Sequence, residues 1–314
     1  MSLKKIEKKM KSKRVTEIQA PAYDDPIAQL RRLVQEYAST NKACVATELR
    51  SSDRTFKDKD ENGKEVKVTL KCRLPQTVID AEKAHVAALK KHMGHLVKCM
   101  RSTLKSIPLW TEFMLKVRGC GPVTGAYLLA FVDFSRCEKP SDLRRYCGLG
   151  VTDGRADRRT KGQKLAYNAS LKTALFLMFE SLRSTTTNCP EKSKYLQRWN
   201  DAKHGLLTTQ GPLGTKEKSQ GFCGAKARRK AQDLFVEDLY IVGRTMAGLP
   251  IWPSWYAKAM GYEHGGKVAV LAPKTMTVDE ALTWVGVKNA EAQTEEELDE
   301  ADDVVRDDVD VAAE

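Results

Sequence analysis

One apolar stripe constrains the fold of this chain more than any other feature. Within residues 77–107 the apolar side chains recur every three or four positions, which places them on one side of a helix: Leu89, Met93, Leu96, Met100, Leu104 and Ile107. Such a face needs a partner, either a neighbouring helix or a second copy of the chain. The sequence therefore predicts a mainly α fold with one long, coiled-coil-like helix.

Shorter elements are predicted on both sides of this helix. Apolar spacing after Asp25 and Pro26 predicts a capped helix over residues 25–50. A minor β-hairpin follows, with its turn at residues 60–63 and one strand alternating over 66–72. Residues 108–256 are predicted to be helical, and the glycine-rich stretch 205–224 is expected to form a mobile loop before a basic helix.

The end of the chain carries weaker patterns. Residues 267–272 are compatible with a short strand, and Thr277 with Glu280 predicts a capping box on a short helix. The predicted domains are a basic arm (1–20), an N-terminal helix and hairpin (21–76), the long helix (77–107), a helical nucleic-acid-binding domain (108–260), a strand-helix extension (261–287) and a disordered acidic tail (288–314).

The charge of the chain is divided between a basic body and an acidic tail. Lysine and arginine number 53 against 41 aspartates and glutamates, a net charge of +12. Residues 288–314 hold 12 carboxylates and two cations, a net of −10, so residues 1–287 carry +22. A body this basic indicates a polyanionic partner, most often nucleic acid. We expect the tail to compete for the basic surface.

Several other classes of protein are disfavoured. No apolar run is long enough to span a bilayer, and the charged N-terminus lacks the apolar core of a secretory signal, so we expect a cytoplasmic protein without a membrane partner. The eight cysteines show no CxxC spacing and are expected to be reduced thiols. His85, His92, His95 and Cys99 lie near one another on the long helix, but His85 is two turns from His92. A metal site is not favoured there, and no cofactor is indicated.

A glycine turn at residues 119–121 is the sharpest local motif. An apolar helix end, the turn, and Pro122 at the start of a second apolar helix resemble a helix-hairpin-helix. The glycines allow a tight turn with outward-facing amides, which suit a phosphate. This predicts phosphate contacts at Gly119, Gly121 and Thr124, against the simpler alternative of an ordinary helical turn.

Cations in four further segments are also predicted to contact phosphate. The predicted contacts are Arg144 and Arg145 on one helix, then Arg155, Arg158, Arg159, Lys161 and Lys164 in a loop, Lys172 on the next helix, and Lys226, Arg228, Arg229 and Lys230 on a later one. Arginines at this density bind successive phosphates, although a solvated charge run has the same composition. No GxSxG, P-loop or HExxH motif occurs, and His204 has no obvious catalytic partner.

These motifs together resemble the C-terminal transposase domain of the bridge-RNA-guided insertion-sequence transposases. The resemblance runs through GCGPVTGAYLLAFVDF (119–134), LRRYCGLG (143–150), Thr160, Lys161 and Gly162, then Asn168, Leu171, Lys172 and Leu175, and finally Lys226, Ala227, Arg228 and Lys230. It covers a little under half of the chain. It implies DNA and a structured guide RNA as partners, and a homo-oligomer.

The chain departs from that family in two places. Family members carry an N-terminal RuvC-like domain with four acidic metal ligands, but residues 1–76 are too short for it, which leaves open a separate RuvC-like protein. A serine attacks DNA in the family, whereas the matching loop here reads GVTDGRADRRT (150–160). Thr152 is the candidate catalytic nucleophile, with Asp153 beside it, and enzymatic activity is left open.

Two functional hypotheses follow. The first is a nucleic-acid-binding protein of transposase type, acting in DNA transposition or recombination through the hairpin and the arginine-rich loop. The second is a noncatalytic assembly or regulatory protein, descended from a transposase, that oligomerises through the long helix. A metal-dependent enzyme using His92, His95 and Cys99 is a distant third.

Overall fold

The computed structural model describes residues 25–59, 65–152, 155–186, 193–208, 220–252, 275–288, 290–294 and 297–298. The predicted arm (1–20), the hairpin turn (60–63), Asp153 and the strand at 267–272 lie outside these residues. The described part is mainly helical, as predicted. Its helices are α1 (Pro26–Ser51), α2 (Gln76–Leu104), α3 (Pro108–Glu112), α4 (Pro122–Phe131), α5 (Pro140–Tyr146), α6 (Ala169–Thr186), α7 (Lys194–Thr208), α8 (Gln220–Met246) and α9 (Val278–Trp284).

The apolar stripe of the long helix is covered by α1 of the same chain. Asp25 caps α1 by accepting from the Ile27 amide at 3.0 Å, and α1 packs along α2. The pairing is antiparallel, because Glu36 contacts His92 while Arg50, later in α1, contacts Glu82, earlier in α2. The prediction of a long helix is confirmed, and its partner is intramolecular.

A two-stranded ribbon joins these helices. Strands β1 (Arg54–Lys59) and β2 (Glu65–Leu70) are antiparallel, with Phe56 opposite Val68 and Lys57 opposite Lys67. The predicted hairpin is thus confirmed, and its second strand ends at Leu70 rather than at residue 72.

Helix α4 forms the centre of the core and contacts α1, α2 and α6. It begins at Pro122, and the missing amide hydrogen of proline breaks no hydrogen bond there because the first amides of a helix have no partner within it. Nearly every residue of the helix is buried. Both this helix and the turn before it are tightly packed in the interior. A Cβ on Gly125 would lie 2.2 Å from the Trp110 ring, and a Cβ on Gly119 would lie 2.6 Å from the Leu182 backbone nitrogen.

Helices α7 and α8 pack against each other and differ from their predicted bounds. Helix α7 continues through Gly205 to Thr208, and α8 already begins at Gln220. The prediction of a loop over 205–224 is therefore wrong at both of its ends. His204 lies in a helix, and Lys226 lies in the second turn of α8 rather than at its start.

The capping box of α9 is confirmed. Thr277 Oγ1 accepts from the Glu280 amide at 3.2 Å, and Glu280 Oε2 accepts from the Thr277 amide at 2.7 Å. The prediction of a disordered tail over residues 288–314 is wrong for residues 290–294 and 297–298, which pack against the folded body. We call these residues the C-terminal strap.

The C-terminal strap is held by one buried glutamine. The Gln293 side chain donates to the Val117 carbonyl at 2.8 Å and accepts from the Gly119 amide at 3.3 Å. Its backbone amide donates to the Leu115 carbonyl at 3.0 Å, and Glu297 pairs with Arg118. The strap thus closes over the glycine turn.

Candidate nucleic-acid interface

The glycine turn faces the interior rather than solvent. Gly119 and Gly121 are buried, Thr124 is only 1% exposed, and the Gly119 amide is bonded to Gln293. The expectation that this turn presents its amides outward is wrong. Gly119 has a φ of 80°, a backbone conformation that favours glycine. Its close packing against Leu182 of α6 also leaves no room for a Cβ. The motif is used for packing in this conformation.

The loop after α5 is fixed to two helices. We call residues 150–164 the basic loop; its short strands β3 (Val151–Thr152) and β4 (Arg155–Ala156) pair antiparallel. Lys172 of α6 donates to the Asp157 carbonyl at 3.0 Å. Arg229 of α8 donates to the Gly150 carbonyl at 2.8 Å. The loop is therefore held at both ends of its hairpin.

Helix α5 and helix α8 are joined beside this loop. Arg144 binds Asp233 through two contacts, Nε to Oδ1 at 3.2 Å and a second nitrogen to Oδ2 at 2.9 Å. A Cβ on Gly150 would lie 3.5 Å from Cγ of Arg145 and 2.3 Å from Asp157 Oδ2. The cations of α5, the loop and α8 therefore share one region of the surface.

Four of the predicted phosphate ligands bind protein acceptors. Arg144 binds Asp233, Lys172 binds the Asp157 carbonyl, and Arg229 binds the Gly150 carbonyl. Arg228 pairs with Glu180 and lies 4.2 Å from the centre of the Phe176 ring. Their contacts do not support the prediction that all four grip phosphate directly; in this conformation they hold the surface together.

The remaining predicted cations form the exposed basic face. Its members are exposed to solvent and belong to α5, the basic loop and α8: Arg145, Arg158, Arg159, Lys161, Lys164, Lys226 and Lys230. Arg155 belongs to β4, but its side chain lies outside the described residues. Two nearby carboxylates, Asp233 and Glu180, are already paired with arginines. The face can therefore attract a polyanion with little internal neutralisation.

Thr152 lies at the edge of this face and contacts a carboxylate. Its hydroxyl donates to Asp157 Oδ1 at 2.8 Å. Asp157 Oδ2 is buried without a hydrogen-bond partner. A hydroxyl held against a carboxylate is the arrangement that a base-assisted nucleophile needs. The sequence does not single out Asp157, because only the fold of the β3–β4 hairpin brings it to Thr152.

Two other residues are not evident from the sequence. Phe222 is 52% exposed and lies four residues before Lys226 on the same helix; this spacing is a usable signal, but the glycine-rich composition around it favours a loop. No pattern in the sequence points to the role of Gln293, because its hydrogen-bond partners lie more than 170 residues away in the chain.

The histidines of the long helix are dispersed. His92 contacts Glu36 at 2.9 Å, and His95 contacts Cys99 at 3.6 Å. Among the described residues, no group of three or more histidine, cysteine, aspartate or glutamate side chains is arranged to hold a metal ion. Nor does any described helix have the length and apolar character of a membrane span.

No protein-family model matches this chain, and neither does any curated protein or solved structure.

Proposed function

We propose that this chain is a nucleic-acid-binding protein of transposase type, which holds DNA or structured RNA by its phosphates. The observation that carries the proposal is the exposed basic face, where cations from α5, the basic loop and α8 lie together on an anchored scaffold. The resemblance of the motifs between residues 119 and 230 to the transposase domain supports it. Phosphate contacts of this kind position a nucleic acid without reading its sequence.

The anchoring supports binding because it lowers the entropy lost on association. A free loop would have to be ordered by its ligand, whereas this loop is already bonded to Lys172 and Arg229. Arginine pairs such as Arg158 and Arg159 add planar donors that match phosphate oxygens. We therefore expect electrostatic, salt-sensitive binding.

The test is a salt titration of binding to a labelled duplex. A variant with Arg158, Arg159 and Lys161 changed to Gln should lower the slope of log affinity against log salt by about 2.7, at about 0.9 for each phosphate that is no longer neutralised. The matched control changes the exposed Lys83, Lys91 and Lys98 of α2, removing the same charge away from the loop. Equal slopes for the two variants, or no binding at low salt, would reject the proposal.

Strand cleavage is a second candidate function, favoured by the 2.8 Å contact between Thr152 and Asp157. In such a reaction Asp157 would accept the hydroxyl proton as the Thr152 oxygen bonds to phosphorus and the strand oxygen leaves. Thr152→Ala and Asp157→Asn should each abolish cleavage of a nicked or branched DNA. An unchanged cleavage rate in Thr152→Ala would exclude this role.

An assembly protein that oligomerises through the long helix is less well supported. The apolar stripe on which that hypothesis depends is covered by α1, so another surface would have to form the oligomer. Light scattering with and without nucleic acid separates the two classes. Only the nucleic-acid hypothesis requires a complex that depends on the basic loop.

A further inference from the structure

The basic face ends on an exposed aromatic side chain. Phe222 lies in the first turns of α8 and half of its surface, 52%, is open to solvent. A single exposed apolar side chain is common on protein surfaces, so the significance of Phe222 depends on its neighbours. Its position relative to the cations of α8 indicates which kind of ligand this surface could bind.

Phe222 continues one stripe of α8. Phe222, Lys226 and Lys230 are spaced four residues apart, so they follow one another along one side of the helix at about 6 Å intervals. Arg229 and Asp233 lie on the same side, and they connect it to the Gly150 carbonyl and to Arg144. The aromatic ring therefore lies at one end of the stripe and the basic loop beside the other.

A second apolar side chain is exposed where the stripe meets the loop. Val151 is 59% exposed and follows Gly150, whose carbonyl accepts from Arg229. The face is thus a row of cations flanked by apolar groups. A duplex offers such a row only its phosphates and the edges of its bases, because the flat faces of paired bases are stacked inside. An unpaired base offers its apolar, flat face to an aromatic ring.

We propose that Phe222 stacks on an unpaired base of a nucleic acid whose phosphates follow Lys226 and Lys230. The inference rests on the proposed function and specifies its ligand as a strand with unpaired nucleotides. Charge complementarity favours this occupant over an apolar protein partner, which would leave Lys226 and Lys230 unused, and over a basic one, which would be repelled.

The test compares two labelled probes at one low salt concentration, an oligothymidine strand and a blunt duplex of equal length. Phe222→Ala should lower affinity for the strand roughly 5- to 100-fold, the loss expected for one stacked base, and change duplex affinity less than about twofold. Phe222→Leu keeps an apolar side chain but cannot stack, and should behave like Phe222→Ala. Phe222→Tyr should restore strand binding. Trp284→Ala removes an aromatic that is 40% exposed on α9 and should change neither affinity.

The outcomes are distinguishable. If the wild-type protein binds neither probe at low salt, the proposed function fails and this inference fails with it. If it binds both and Phe222→Leu retains full affinity for the strand, the stacking inference alone is overturned. Equal weakening on strand and duplex would also overturn it, because Phe222 would then act through the fold or through general contact. Circular dichroism of each variant checks that α8 is retained.

Discussion

Gly119 combines two separate requirements for glycine. Its φ of 80° disfavours any side chain, and the Leu182 backbone leaves no room for a Cβ. Gly162 of the basic loop has the same φ of 80° with no atom within 4 Å of the position of its Cβ. The two glycines therefore separate conformational strain from close packing.

Alanine at these positions should have unequal effects on stability. Gly162→Ala should lower the free energy of unfolding by about 1–2 kcal/mol through the left-handed backbone alone. Gly119→Ala should cost about 2 kcal/mol more, since α6 would have to move away from the turn. Urea unfolding followed by circular dichroism measures both. Equal losses would show that α6 yields to the new methyl group without cost.

Two buried thiols, Cys137 and Cys147, each make the free energy of unfolding depend on pH. Burial raises the pKa of Cys147 to about 12, and burial, together with nearby Asp142 and Asp133, raises the pKa of Cys137 to about 11. Unfolded thiols ionise near pH 9. The unfolded chain then loses protons that the folded chain keeps, so stability present below pH 9 falls as the pH rises through that range.

The contribution of one thiol can be isolated by substitution. Between pH 8 and pH 10, Cys147 should account for about 1 kcal/mol of the decline in unfolding free energy. Cys147→Ala, measured under reducing conditions against the wild type at both pH values, should show a correspondingly smaller decline. Parallel declines in the two proteins would contradict a raised thiol pKa.

At the scale of elements, the basic loop depends on α6 and α8 for its position. Lys172 is its anchor on α6, donating to the Asp157 carbonyl and lying 4.4 Å from the centre of the Tyr167 ring. The loop itself contributes few buried side chains. Its order should therefore depend on such anchors more than on its own packing.

Removing that anchor should loosen the loop while leaving the helices intact. We expect Lys172→Met to raise the rate of limited tryptic cleavage after Arg158, Arg159 and Lys161 about tenfold, because about 1–2 kcal/mol of anchoring is removed. Cleavage sites are identified by mass spectrometry. Lys98→Met on the exposed surface of α2 is the control and should leave the rate unchanged, and a similar increase in both variants would refute the anchoring role.

Local sequence patterns predicted the helices well, but they did not predict the contacts between residues that are distant in the sequence. The α2 stripe and the Thr277–Glu280 capping box depend on residues three or four apart, and the structure confirms both. The orientation of the glycine turn depends on Leu182 and Gln293, which are distant in sequence, so a local motif could not reveal that it is buried. Among the candidate site residues, Arg158 and Arg159 were predicted from the local density of cations and are exposed, whereas the pairing of Arg144 with Asp233 required the packed fold.

At the scale of the whole molecule, the acidic C-terminal region combines a structural strap with a strongly charged end. The C-terminal strap is structural, since Gln293 is 7% exposed and Glu297 pairs with Arg118. Residues 299–314 carry eight carboxylates and one arginine, a net of −7. A deletion from residue 288 would remove both parts at once and confuse electrostatics with folding.

Two truncations should therefore behave differently. Ending the chain after Leu298 changes its net charge from +12 to +19 and should strengthen DNA binding several-fold at low salt, with the effect fading as salt is added. Ending it after Val287 should also lower the melting temperature, because the Gly119 amide and several buried carbonyls lose their partner. Anisotropy and thermal unfolding measure the two effects. A similar melting temperature for both truncations would contradict the structural role of the strap.

The bond between Gln293 and the Gly119 amide spans 174 residues, and it sets an order of events during synthesis. The turn at the centre of the core is translated early, yet its hydrogen-bond partner is translated roughly 10–35 seconds later at about 5–20 residues per second. Throughout that interval the Gly119 amide and the Val117 carbonyl lack the hydrogen bonds that Gln293 makes with them in the folded chain. The hydrogen bonds of this turn are therefore expected to be completed only after the C-terminal strap has been synthesised and Gln293 can reach it.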